Sequence, residues 1–463
     1  MKLLPITPFS GCCLGLGVLL LAGCAVGPDY QVPPAKLEAS FKSAGFSAPA
    51  PEGSWWKLFG DSELDRYIRM AEQGGPSARA ALARYDQARS DLGLAKADAS
   101  PAITGEMYAT RRQDSGNTNF SAGIYNDYRA ALNLSWEIDL WGRVRRQIGA
   151  AAADTSAAGF EYQAVLLSLR AEVARAYLSL RFADAEIELL EETEGLRSEA
   201  RRLMKARFDG GASSRVDHER SVVEHEAVKA ELEQLRAQRA KYENAVAALV
   251  GRSASGFRIP ARSGRPSSPG VPGAVPSDLL RRRPDIAAAE RRLAAASERI
   301  GVAIASYLPR VSLNGSGGFG SLSTGDLFNS NSKLWSLGPE VDVPIFQGGR
   351  AFGDKAKAEA AYREALENYR DVLVKAVQET EDSLNDTRRL ATASQARARG
   401  SKSSKKAAEL VRKRYEGGAT DYFEVVESER NSLNGQRETV SVQLNRALAT
   451  TRLIQALGGG WTR

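Results

Sequence analysis

Cys24 is the residue whose type and surroundings point most directly to covalent chemistry. It closes the stretch LLLAGC, residues 19–24, behind Lys2 and an apolar run over about residues 14–22. Such a run is too short to span a bilayer as a helix and has the size of a secretory signal. Leu21-Ala22-Gly23-Cys24 fits the lipobox pattern, in which the thiol is acylated and residues 1–23 are removed, so that Cys24 begins the mature chain. An ordinary signal cleaved near Gly23 would instead leave a free thiol. Cys12 and Cys13 fall in the removed segment, so the mature chain keeps one cysteine and forms no internal disulfide. An exported protein without disulfides must hold itself together by burial, which calls for a large framework. His218 and His225, the only imidazoles, lie seven apart in a charged helical stretch and read as a solvated helix face, with no metal site. There is no G-x-S-x-G, no Gly-rich phosphate loop with a Lys after a strand, and no Cys/His cluster. Asp and Glu at helical spacing read as surface partners of Arg. The expectation is a protein without catalytic residues, metal or cofactor.

The elements that must position these residues follow from length and patterning. The chain has 463 residues and is 43% hydrophobic, enough for a folded body of two or three domains. No later segment offers eighteen apolar residues in a row, so any crossing of lipid must be by β-strands. The net charge of +7 is spread along helical stretches where Arg and Glu alternate, as in ERSVVEHEAVKAELEQLRAQRAKYE. A nucleic-acid binder would concentrate that charge and interleave aromatics, so nucleic acid is not an expected partner.

An internal repeat organises the chain. ARFDGGAS (residues 206–213) answers KRYEGGAT (residues 413–420) at an offset of 207, and Arg143 answers Arg350 at the same offset. Pro76 pairs with Pro284 and Pro101 with Pro309 at 208. The implied organisation is a signal peptide (1–23), an anchored extended segment (24–60), a first repeat (61–250), a Pro/Gly/Ser-rich linker (251–276), a second repeat (277–458) and a tail (459–463). Each repeat reads as a helix ending at a Pro (76–99, 285–308), a β-like region, a very long helix (143–207, 352–414), a Gly-Gly turn and a returning helix. At about 1.5 Å per residue each long helix would reach close to 100 Å. Val165, Leu169, Val173, Tyr177 and Leu180 form a narrow apolar seam on the first of them.

From Tyr128 to Leu140 apolar and polar residues alternate, and from Trp335 to Ile345 they do so again. Each has a partner strand, at 103–112 and 311–320, giving one hairpin per repeat. The alternation suits an ordinary sheet over a soluble core and a lipid-facing barrel alike; the lipid anchor favours the barrel. Four strands cannot close a barrel, and open edges are not tolerated in lipid, so the chain must oligomerise into a hollow, cyclic assembly. The fold class is mixed and mainly α.

PSDLLRRRPDIAAAERRLAAASERIGVAIASYLPRVSLNGSGGFG (residues 276–320) resembles the signature of the outer-membrane factors of tripartite efflux systems, in their lipoprotein branch. So do CAVGPDY, WWKLFGDSELDRYI, WEIDLWGRVRR and VPIFQGGR. The resemblance covers essentially the whole mature chain. It implies a homotrimer, with four strands per protomer in a twelve-stranded transmembrane β-barrel, continued by a long periplasmic α-helical barrel. It also implies a periplasmic adaptor and an inner-membrane RND-type pump as partners, beside outer-membrane lipid. The implied function is a passive exit duct for small toxic compounds. The outer duct of a protein-secretion system and a non-conducting scaffold lipoprotein stand as alternatives. By the same resemblance the helix-helix turns are adaptor-docking tips: Gly210, Gly211, Ala212 and Ser213 in the first copy, Gly417, Gly418, Ala419 and Thr420 in the second. Here all four glycines are first of all structural, since a helical hairpin turn needs positive φ. Channel-narrowing aspartates of the family map onto Glu424 and Glu427, a departure that lengthens the side chain. The first copy places Asp217 and Arg220 at the matching positions, where Arg and Glu of neighbouring helices could form salt-bridged latches. A solvated helix face is the other reading of these four.

Overall fold

The computed structural model describes residues 25–459, apart from parts of 36–52, 116–122 and 265–281. Cys24 lies outside the described residues, as do parts of the linker and nearly all of the tail. Two compact units, each drawing on both halves of the sequence, account for the chain: residues 1–34, 85–158 and 288–370 in one, residues 35–84, 159–287 and 371–463 in the other. The elements in order are α1 (Ser62–Gly74), α2 (Pro76–Ala97), β1 (Ala102–Gln113), β2 (Ile124–Ile138), α3 (Arg143–Asp209), α4 (Arg215–Leu249), α5 (Pro284–Ala305), β3 (Arg310–Ser321), β4 (Lys333–Asp342), α6 (Arg350–Glu416) and α7 (Tyr422–Ala456).

In the first unit the four strands form one antiparallel sheet in the order β1-β2-β3-β4. The two hairpins join through β2 and β3, with Tyr128 opposite Ser321 and Ile138 opposite Val311. Because side chains alternate across a strand, this register sends Ile103, Met107, Leu132, Trp335, Leu337 and Val341 to one face, all exposed. The opposite face is polar: Asn133 donates to Glu106 at 3.0 Å and Arg129 to Ser316 at 3.2 Å. The outer edges of β1 and β4 have no partner strand among the described residues. β4 stops at Asp342 although the alternation runs on to Ile345. The reason is its partner: β3 begins at Arg310, opposite Asp342, so the ladder ends there.

The segment from Val26 to Tyr30 is fastened to this unit. Val26 N–H donates to the Trp141 carbonyl at 3.0 Å. The buried Arg146 reaches the carbonyls of Val26 and Gly27 at 3.2 and 3.3 Å, and the carboxylates of Asp29 and Glu298 at 3.0 and 3.1 Å. Tyr30 donates its hydroxyl to the buried Glu290 at 2.7 Å.

The second unit holds the main core. A 3-10 turn (Trp55–Phe59) and α1 pack their apolar stripes on the middle of α3 and on α4 and α7. Asp61 caps α1, accepting from Glu63 N–H at 2.9 Å, and Leu64, Tyr67, Ile68 and Ala71 recur at the spacing that buries one helix face. Of the apolar seam on α3, Leu169, Val173, Tyr177 and Leu180 are all buried. Burial of such side chains is worth about 1.5–3 kcal/mol each. The long helices have 67 residues each and the returning helices 35 each, so the repeat is reproduced to the residue.

The histidines correct an expectation. His225 is buried, not solvated, with Nε2 2.8 Å from Glu194; it lies on the same face of α4 as Ser221, Val228 and Leu232. His218 is half-buried and stacks on Phe208 with ring centroids 5.9 Å apart. Among the described residues no group of three His, Cys, Asp or Glu could hold a metal ion.

Candidate functional site

The two helical hairpins end in turns of the same construction. In the first, Gly211 N–H donates to the Phe208 carbonyl at 3.0 Å and Ala212 N–H to the Arg207 carbonyl at 2.8 Å. In the second, Gly418 donates to Tyr415 at 3.0 Å and Ala419 to Arg414 at 2.8 Å. This is the Schellman arrangement, which satisfies the orphan carbonyls of a helix end by placing the residue after the cap at positive φ. Gly211 and Gly418 take that place, at φ +73° and +75°. Gly210 and Gly417 have no positive φ, and a Cβ on either would meet only backbone oxygens at 3.4 Å or beyond. So only the second glycine of each pair is required by the turn, not all four. Both first glycines, with Ala212 and Ala419, are exposed; Ser213 and Thr420 are half-buried.

Chain reversal is completed by a cap. Ser214 accepts from Asp217 N–H at 3.1 Å and donates its hydroxyl to the Asp217 carboxylate at 2.8 Å. In the second tip Asp421 accepts from Glu424 N–H at 3.0 Å, and Thr420 donates its hydroxyl to the Glu424 carboxylate. Asp217 and Glu424 are thus third-residue acids of a helix start, where the helix dipole favours negative charge. Glu427, half-buried, pairs with Arg430 at 3.2 Å. Arg220 lies in the same groove as Glu427, with Val216, Val223 and Phe423, but its guanidinium sits 4.8 Å over the Phe423 ring. Within the protomer the described ion pairs therefore join Glu427 to Arg430 and not to Arg220.

Arg430 leads into a cluster that sequence reasoning missed. It also bonds Glu224 of α4, while the buried Arg197 of α3 stands 3.7 Å from Glu224 and 3.1 Å from Glu429 of α7. Arg412 of α6 donates to Glu429 at 3.0 Å. All four long helices meet in this one ionic cluster. The only signal for it in the sequence is the offset, since Glu224 and Arg430 lie 206 apart and Arg437 bonds Glu231 at the same separation. Beside it Met204, Tyr422, Val425 and Val426 form an apolar plug, with Tyr415 against it. Arg207 donates to the Tyr415 hydroxyl at 2.6 Å, joining the tips. Burial pushes the ionisation of Tyr422 up to about 12.

The pattern of the family described as Outer membrane efflux protein matches twice, over residues 67–252 and 275–459. The chain belongs to that family. It is 31% identical over 468 residues to the outer membrane protein OprJ of Pseudomonas aeruginosa, covering 98% of this chain and 96% of that one. It is 30% identical to the pyoverdine export outer membrane protein OpmQ of Pseudomonas putida, covering 97% of each. Its fold overlays the solved outer-membrane channel OprN with a TM-score of 0.87 at 30% identity, over 95% of this chain and 100% of that one. As a member the protein is an outer-membrane efflux duct reaching into the periplasm. Its four strands are one third of a trimeric twelve-stranded β-barrel, and its long helices one third of the periplasmic helical barrel. The family is one of channels, not of enzymes.

Proposed function

We propose that the protein is the passive exit duct of a tripartite, RND-type efflux pump, carrying small toxic compounds out across the outer membrane. It performs no covalent step, and energy comes from the inner-membrane pump through a periplasmic adaptor. Cys24 carries the acyl anchor, residues 1–23 are the signal peptide, and the chain divides into anchored segment, repeats and linker as its sequence repeat suggests. The adaptor meets the two tips, at Gly210, Gly211, Ala212, Ser213 and Gly417, Gly418, Ala419, Thr420. Three copies of Glu424 and Glu427, with Asp217 and Arg220 beside them, constrict the periplasmic mouth.

The observation that carries this reading is the way the acids are held. The carboxylate of Glu424 is tied to its own turn by Thr420, and the cluster of Arg197, Arg412, Arg430, Glu224 and Glu429 draws the four helices together nearby. Charge fixed on a narrowed rim is how a pore selects and resists ions. Single-channel conductance in planar bilayers tests it. Wild type should pass a small, flickering current that grows in the Glu424→Ala, Glu427→Ala variant; equal large currents from both would remove these acids from the constriction.

A further inference from the structure

The positive charge is not spread as the alternation of Arg and Glu suggests. Between Arg397 and Arg414 eight basic residues stand against one acid, Glu409, a surplus of seven that equals the formal net charge of the whole chain, +7. The matching stretch of the first repeat, residues 190–207, has five basic and four acidic residues. Two hairpins built on one plan have diverged in charge, and α6 carries the difference.

The surplus has a direction. Ser394 and Ala408 of α6 are buried, and Ser401 and Ser404 lie against Gly435 of α7. Arg399, Lys406 and Lys413, spaced by seven, emerge on the opposite side of the helix and are exposed. Lys406 reaches only Glu409 of its own helix, at 3.5 Å, and no ion pair of Arg399 or Lys413 occurs among the described residues. α4 has the complementary surface. Its buried side carries Ser221, Glu224, Val228 and Leu232, and its other side exposes Val216 and Val223, flanked by Glu219, Glu226 and Glu233, again seven apart. These acids pair with basic residues of their own hairpin in water-exposed contacts, such as Glu226 with Lys229 at 3.2 Å and Glu233 with Arg236 at 2.6 Å. Exposed pairs of that kind are weak and exchange readily.

The two stripes also agree in height. Lys413, Lys406 and Arg399 stand 3, 10 and 17 residues before the end of α6, and Glu219, Glu226 and Glu233 stand 4, 11 and 18 residues after the start of α4. The tips themselves are level, since Arg207 with Tyr415 and Arg430 with Glu224 join residues 208 and 206 apart. A cyclic trimer needs a heterologous interface, in which two different faces of one chain complement each other.

We propose that the basic stripe of α6 lies against the acidic, valine-backed stripe of α4 on the neighbouring copy. Lys413 then stands level with Glu219, Lys406 with Glu226, and Arg399 with Glu233. Heptad spacing gives the contact a coiled-coil register, and charge of opposite sign sets which helices meet. The same charges keep α6 from pairing with α6, so the two repeats, alike in shape, are not interchangeable around the ring.

A paired substitution tests the assignment in the full chain. Glu226→Cys with Lys406→Cys, treated with a short bis-maleimide, should give crosslinked dimers and trimers, while either single variant gives none. Folded trimers of the double variant that yield no crosslink would overturn the proposal. Independently, Arg399→Glu, Lys406→Glu, Lys413→Glu should lower the trimer fraction in detergent by about tenfold or more, and adding Glu219→Lys, Glu226→Lys, Glu233→Lys should restore it. A combined variant no better than the reversed α6 alone would overturn the seam. So would a reversed α6 that trimerises as wild type does but no longer captures the adaptor, which would assign the basic stripe to that partner.

Discussion

Gly417 and Gly418 are adjacent, both exposed, and both in the second tip, yet replacing each by alanine should have opposite consequences. Gly418 sits at φ +75°, where an L side chain brings its Cβ against the backbone at a cost of about 1–2 kcal/mol. Gly417 has no positive φ, and a Cβ there would find the carbonyls of Lys413 and Arg414 at 3.5 and 3.6 Å, ordinary contact distances. Removing a glycine at a position with unstrained backbone narrows the unfolded ensemble and stabilises by about 0.4–1 kcal/mol. The two variants should therefore differ by about 1.5–3 kcal/mol per tip, the sum of these opposing effects. Thermal unfolding of the purified trimer, followed by circular dichroism at 222 nm, reads this difference as a lower midpoint for Gly418→Ala and an unchanged or higher one for Gly417→Ala. Equal losses in both would refute the turn geometry. Because Gly417 is free of the backbone constraint, a bulkier residue there also isolates docking. Gly417→Leu should weaken crosslinking to the adaptor while leaving the trimer intact, and undiminished crosslinking would remove this tip from the contact.

Other substitutions follow from the same end of the molecule. Arg197→Met leaves Glu224 and Glu429 without their buried counter-charge and should cost about 3–5 kcal/mol, measured by denaturant unfolding of the trimer; a loss below about 1 kcal/mol would mean that Arg412 and Arg430 suffice. The buried hydroxyl of Tyr422 has no hydrogen-bond partner among the described residues, so Tyr422→Phe should leave stability unchanged or slightly higher at neutral pH. Its ionisation is raised from 10.0 to about 12, so the neutral form's contribution is complete below about pH 10 and is lost as pH rises through about 12. The Phe variant should lack that alkaline loss, and identical alkaline unfolding curves would contradict it. Cys24→Ser should abolish acylation of the mature N-terminus, as read by mass spectrometry; acyl chains persisting on the mature chain would refute the anchor.

Long-range order was the most legible property of the sequence. The long helices read as 143–207 and 352–414 run Arg143–Asp209 and Arg350–Glu416, because a Pro-free stretch with a sustained apolar seam leaves the backbone little alternative. The strands were legible for a similar reason, except where β4 ends with the start of its partner β3 before the alternation fades. What pattern could not supply was partnership. The heptad spacing of His218 and His225 is the same whether that face of α4 meets water or α3, and only the packed hairpin shows that His225 faces Glu194. The sequence offers Asp217 and Glu424 as constriction acids, whereas their service at helix starts depends on the turn before them. Arg430 looks like any other of the 63 basic residues until α4 brings Glu224 beside it.

The grip of Arg146 on residues 26–29 makes the start of the described chain part of the sheet unit. Val26 is held to the Trp141 carbonyl, three residues past the end of β2. A pull on residues 26–29 would therefore reach the strands directly and not through a loose tail.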